Sequence, residues 1–335
     1  MGFNMNKKII IPVLIAAFSA SCSPKNDEPI VEPPAKEKTA KVFVLAGQSN
    51  MEGNTNFSSL KKFCAESEEE HDYEVIKAGF PNVKISYHNI YDNNNKNFSN
   101  EESPMEGKFV NAGLNQGVRK TGFSGPEVGI AEVLNDYADE EVPIFLIKYT
   151  SGGTGFFDQT RNGSKNWNWR SSSNTKPGDL YNGLLEFVDA NLSLIETEYE
   201  IKPEIKGFLW MQGESDGTNS GAASMYQTHL NRMITDFREE FKEYTEDKDG
   251  NQIAFIDATI ADNGTWAYHH QINEAKRVIE KTLDKNYLIE TNKGGLDLKI
   301  GSNEHGGGDQ YHYTVDSMMR LGNAFGNIIV SEELI

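Results

Sequence analysis

From Val42 to Gly47 the chain reads VFVLAG, a run without a polar side chain. It is too short for an ordinary helix and lacks the alternation of a half-exposed strand. It fits a strand buried on both faces, which occurs where helices cover a parallel sheet. Mostly apolar runs recur at Val142–Tyr149, Ile205–Met211, Ile253–Ala258 and Tyr287–Glu290. Helical patterns separate them. Gly125-Pro126-Glu127 opens a helix running to about Tyr137, and others cover Asp179–Glu198 and Ala222–Tyr244, start at His269, and start at about Thr314. The Ala222–Tyr244 segment carries apolar residues at 225, 226, 230, 233, 234, 237 and 241, a 3.6-residue period. The predicted fold is α/β, a three-layer doubly wound sandwich around a mainly parallel five-stranded sheet. The stretch 55–124 is irregular, and its alternating piece Val83–Tyr87 either extends the sheet or pairs locally.

The N-terminus has a different character. Lys7-Lys8, the apolar IIIPVLIAAF and Ser19-Ala20-Ser21 precede Cys22. The apolar run is too short to span a bilayer, so residues 1–21 read as an export signal. Small residues before a cysteine resemble a bacterial lipobox, with Cys22 as the lipidated mature N-terminus. Residues 22–39 are rich in proline and charge and read as a tether, leaving 40–335 as the folded domain. The expectation is an exported lipoprotein, periplasmic or on the cell surface, held to the membrane through Cys22.

The formal charge is -18 and no Lys/Arg cluster stands out, which argues against nucleic acid as a partner. The two cysteines, Cys22 and Cys64, are too few for a zinc-finger type site. No metal, cofactor or obligate protein partner is expected.

The chemistry-bearing residues follow the apolar runs. Ser49 comes after the first, Gly152-Gly153 after the second, Gln212 and Glu214 after the third, and Asp309 and His312 lie near the C-terminus. Carboxyl ends of parallel strands gather on one edge, where such sheets bind ligands. A serine hydroxyl becomes nucleophilic when a histidine takes its proton, and a carboxylate holds that histidine in one tautomer. A developing oxyanion needs donors set in advance, here the Ser49 N–H, a glycine N–H and the Gln212 amide. Asp309, three residues before His312, and Glu214 compete to orient the histidine. Ser49 followed by Glu52 also fits a helix capping box, compatible with a nucleophile at a helix start. Trp167 and Trp169, in a polar loop, offer a platform for a sugar ring or tuck against the domain. Asn50 supports the Ser49 turn or meets substrate. His269 and His270 read as structural, His71, His88 and His229 lack a carboxylate at motif spacing, and His305, beside glycines, could reach the site.

Taken together, GQSNM, SGGT, WMQGESD and the terminal DQYH resemble the SGNH (GDSL-like) hydrolase superfamily. The closest likeness is to its carbohydrate-esterase branch of sialate O-acetylesterase and acetylxylan esterase-like proteins. The resemblance implies a flavodoxin-like fold, Ser49 as nucleophile, His312 as general base, Asp309 at the superfamily's DxxH position and Glu214 in the branch's QGE motif. It implies hydrolysis of O-acetyl esters on an acetylated carbohydrate without a metal. Two other readings stay open: a non-catalytic surface glycan-binding lipoprotein, and an esterase for lipid or thioester substrates.

Overall fold

The computed structural model describes residues 38–68, 71–90, 106–119, 121–138, 140–161, 163–246, 253–293, 296–301 and 307–335. The signal, Cys22, most of the tether and His305 therefore lie outside the described residues.

The first apolar run is the centre of the sheet. It forms β1 (Thr39–Gly47), buried from Val42 onward, and leads into the short helix α1 (Ser49–Glu52). The stretch to residue 124 holds β2 (Thr55–Asn56), α2 (Leu60–Glu66), α3 (Tyr73–Ala78), β3 (Phe80–Ile90), β4 (Val110–Ala112) and β5 (Phe123–Ser124). Then follow α4 (Glu127–Leu134), β6 (Ile144–Ser151), α5 (Asp179–Glu198), β7 (Lys202–Met211) and α6 (Ser220–Glu240). The chain closes with β8 (Ala254–Ala258), α7 (His269–Thr282), β9 (Asn286–Ile289) and α8 (Val315–Ser331).

The main sheet has seven strands in the order β4-β3-β6-β1-β7-β8-β9, parallel except where β3 meets β4. Helices flank it, with α4 packed on α8 and α6 on α7. This is the doubly wound α/β sandwich that the sequence predicts, with two strands more than the five expected. The Val83–Tyr87 piece is part of β3, which extends the sheet beside β6, and β4 is too short to leave a pattern. No described helix is long and apolar enough to cross a membrane.

One charge lies inside this apolar frame. Lys148 on β6 has a fully buried side chain. Its ammonium donates to Glu127 Oε2 at 2.8 Å and to the carbonyls of Glu52 and Gln116, each at 3.0 Å. An ammonium has three protons, and all three are used. Lys148→Met should therefore strand the buried Glu127 carboxylate and two carbonyls, lowering stability by about 3–5 kcal/mol in urea unfolding. A change below about 1 kcal/mol would contradict this reading of the Lys148 network.

Candidate active site

Gly47 ends β1 beside Thr150 of β6 and Met211 of β7 in the sheet register. Its φ is +143°, and a Cβ there would sit 2.1 Å from the Met211 carbonyl oxygen, so no side chain fits. The next N–H, of Gln48, donates to that same carbonyl at 3.1 Å. Ser49, Gly152 and Gln212 thus leave the sheet from adjacent strand ends. The chain crosses from β6 to β7 over β1 here, which makes this edge a topological switch point.

The capping-box expectation fails. Gln48 occupies the cap of α1 without a side-chain bond, and Glu52 turns away. Its carboxyl accepts from Asn54 Nδ2 at 2.9 Å and from the Gly152 N–H at 3.3 Å.

Asn50 joins the serine to the histidine. It is buried, which rules out the substrate-contact reading and leaves the supporting one. Its Nδ2 donates to Glu214 Oε1 at 2.8 Å and to the Tyr311 carbonyl at 3.4 Å, while its Oδ1 accepts from the Tyr313 N–H at 3.4 Å. Tyr311 and Tyr313 flank His312. Thr55 Oγ1 donates to the Tyr313 carbonyl at 2.8 Å, and the Asn56 N–H to the Gly307 carbonyl at 2.9 Å. The residue after Ser49 and the residues on either side of His312 are therefore bonded to each other.

His312 Nδ1 lies 2.9 Å from Asp309 Oδ1, although the ring is turned off the line of a well-aligned bond. Catalytic hydrogen bonds are often poorly aligned before substrate binds and tighten when it does. Asp309 Oδ1 also accepts from the N–H groups of Tyr311 at 2.7 Å and His312 at 3.1 Å. Desolvation works to raise the Asp309 carboxyl. The Tyr311 amide, the His312 ring and the His312 amide together outweigh it and hold the group below the usual carboxylate range. Glu214 is different. It is buried, Oε1 is taken by Asn50, and Oε2 has no hydrogen-bond partner among the described residues. Burial raises its carboxyl despite the Asn50 bond and the nearby charges of Lys276 and His312. Of the two competing carboxylates, Asp309 is the one in reach of the ring nitrogen.

The expected oxyanion donors divide. The Ser49 N–H takes no partner among the described residues, as suits the first position of a helix. Gln212 does not present a free amide. It is fully buried, with Nε2 2.7 Å from Asp216 Oδ2, 3.0 Å from the Thr154 carbonyl and 3.3 Å from Gln48 Oε1. Its amide protons are spent on bracing the strand ends. Asp216, which also accepts from the Phe156 N–H, is pushed up to about 7 by burial, against those same hydrogen bonds. Gly152 and Gly153 have their carbonyls held by Arg161, at 2.7 and 3.3 Å.

The tryptophan platform also changes. Trp169 is fully buried, its Nε1 donating to Thr154 Oγ1 at 2.8 Å, so it is core and not a sugar contact. Trp167 is half-buried and packs against the core. An exposed aromatic does stand beside the candidate site: Tyr311, next to His312 and 6.4 Å between ring centroids from Trp266. Only its place beside a candidate catalytic histidine could have marked it in the sequence. His269 is structural as expected, its Nδ1 2.8 Å from the Trp266 carbonyl. Among the described residues no cluster of His, Cys, Asp and Glu is arranged to hold a metal.

No curated protein matches the chain. Among solved structures it is similar to a protein from Arabidopsis thaliana, at 18% identity and a TM-score of 0.53, over 87% of this chain and 98% of that one. It is also similar to NanS, at 14% identity and a TM-score of 0.58, over 89% of this chain and 98% of that one. At these identities the likeness is one of fold. A family model for carbohydrate esterases, sialic acid-specific acetylesterase, matches residues 39–331. That span runs from the first residue of β1 to the last of α8, so the chain belongs to the sialic acid-specific acetylesterase family of carbohydrate esterases.

Proposed function

We propose that this chain is a serine esterase that removes O-acetyl groups from carbohydrates through an acetyl-enzyme on Ser49. The observation that carries this reading is the Asn50 bracket, which ties the residue after Ser49 to both neighbours of His312. His312 takes the Ser49 proton as the hydroxyl oxygen attacks the acetyl carbonyl. Asp309 stabilises the imidazolium that forms. The tetrahedral oxyanion is met by backbone N–H groups, that of Ser49 first. Collapse expels the sugar hydroxyl, which receives the proton from His312. Water, deprotonated by His312, then attacks the acetyl-serine and releases acetate. Tyr311 supplies the aromatic face for a sugar ring, the role that the buried Trp169 cannot fill.

Acetate release from acetylated xylan and from O-acetylated sialic acids tests the activity and ranks the substrates. Ser49→Ala should fold normally and lose nearly all release. Activity within about tenfold of wild type would sink the nucleophile assignment. Asp309→Asn should lower kcat on the order of 10⁴-fold, because the histidine loses the carboxylate that fixes its tautomer. If Glu214→Gln proved the more damaging change, Glu214 would be the orienting group instead. Tyr311→Ala should raise KM with kcat little changed, since a platform binds ground and transition states alike. An unchanged KM would remove Tyr311 from the sugar site.

A further inference from the structure

Glu52 has no role in the mechanism above, yet its carboxyl lies beside Gly152, across from Ser49, at the ends of β1 and β6. It is fully buried. A side chain built on Gly152 would approach Glu52 Oε2 to 2.7 Å and the Ser49 Cβ to 3.8 Å, so Gly152 is the thin wall between the two residues. The Gly152 N–H points at Glu52 Oε1 across 3.3 Å, longer than a well-made amide bond. The loop is fixed from the other side. Arg161 draws the Gly152 carbonyl to 2.7 Å and, with Gln159 Nε2, the Gly153 carbonyl. Arg161 is itself pinned by paired backbone bonds with Ser164, of 3.0 and 2.8 Å. The peptide that carries this N–H is held at its own carbonyl, that of Ser151, by Thr154 Oγ1 at 2.6 Å, which leaves the Gly152 N–H only small displacements.

We propose that Glu52 is a positioning residue that governs the oxyanion loop through its own proton: neutral, it yields the Gly152 N–H to the oxyanion, and ionised, it keeps it. This rests on the Ser49 mechanism above. Two effects share a sign. A carboxylate accepts an N–H more strongly than a carboxylic acid does, which withdraws the donor. A carboxylate one glycine away from the reacting serine also repels the negative charge forming there.

The charged groups facing Glu52 are Lys148 on β6, whose own donors go to Glu127 and to the Glu52 and Gln116 carbonyls, and Arg161 on the loop after β6. Both favour the ionised form, as do the Asn54 and Gly152 hydrogen bonds. Burial opposes them and prevails, lifting the carboxyl to about 7. The group is therefore poised to change charge near neutrality, and the sign follows: raising the pH ionises Glu52 and slows the reaction.

The test is the pH profile of kcat/KM for acetate release. Wild type should fall at least about tenfold between pH 7 and 9, as loss of one required proton dictates. Glu52→Gln keeps an acceptor for the Gly152 N–H but no charge, so it should retain kcat within about threefold at the optimum and lose the alkaline fall. Glu52→Ala should lower kcat by about tenfold or more with KM little changed, because the loop loses its support. An alkaline fall of the same size in Glu52→Gln, or none in wild type, overturns the proposal. Should Glu52→Gln not fold, wild type with Ser49 phosphonylated serves instead. The phosphonyl oxygen mimics the oxyanion, and the carboxyl titration seen by difference infrared spectroscopy should move upward by at least one pH unit. No movement overturns the proposal. Loss of the Ser49 dependence itself would instead overturn the mechanism on which the proposal rests.

Discussion

The crevice depends on one buried cation. Lys148 sits in the middle of an apolar strand and spends its three protons on three separate segments: the end of α1, the loop at Gln116 and the start of α4. An ammonium in such a place is tolerable only when every proton is paired. That requirement works in reverse as a constraint on the chain. The carbonyl of Glu52 must return to the sheet, and this fixes where α1 ends. Where α1 ends fixes how Ser49 stands at its start, since the helix is one turn long.

Around this point the site is assembled largely from buried polar groups that bond to one another and to the backbone. Asn50 binds Glu214 and the backbone on both sides of His312. Gln212 and Gln48 brace the ends of β1 and β7, and Asp216 accepts from Gln212 and Phe156. Asp257, raised to about 6 by burial, is paired with Lys276 at 2.7 Å. Burying carboxyls this way works against stability whenever they ionise, which is why their carboxyl groups hold protons to higher pH than exposed ones. In return the loops are held without slack, as an oxyanion site needs if it is to stabilise charge without reorganising.

Much of this was legible in the chain. The five apolar runs were readable because strands covered on both faces must be largely apolar, and the position of Ser49, Gly152, Gln212 and His312 at one edge then follows from parallel topology. The edge and second-to-edge strands, β4 and β3, were harder to read. β4 is three residues long, and β3, covered on its outer side only by β4, alternates like a solvated strand. The donor and platform roles given to Gln212 and Trp169 went astray for a shared reason. Residue type tells what a side chain can bond to, but not whether a neighbour has already taken it. Gln212 spends its protons on Asp216 and Thr154, and Trp169 spends its N–H on Thr154. Ser49 as a cap with Glu52 as its partner has the spacing of a capping box. The cap is not made because Asn54 and Gly152 supply the Glu52 carboxyl with donors instead.

Transfer of the acyl group to Ser49 during turnover is the step on which the proposed mechanism stands. Rapid quenching in acid during hydrolysis of an activated acetyl ester, followed by peptide mass spectrometry, reads this directly. With Ser49 as nucleophile, a peptide containing Ser49 should be heavier by one acetyl group, formed within the first turnover and lost once substrate is exhausted. An enzyme that releases acetate while no acetylated Ser49 peptide forms, or that carries the label on another residue, would contradict that assignment.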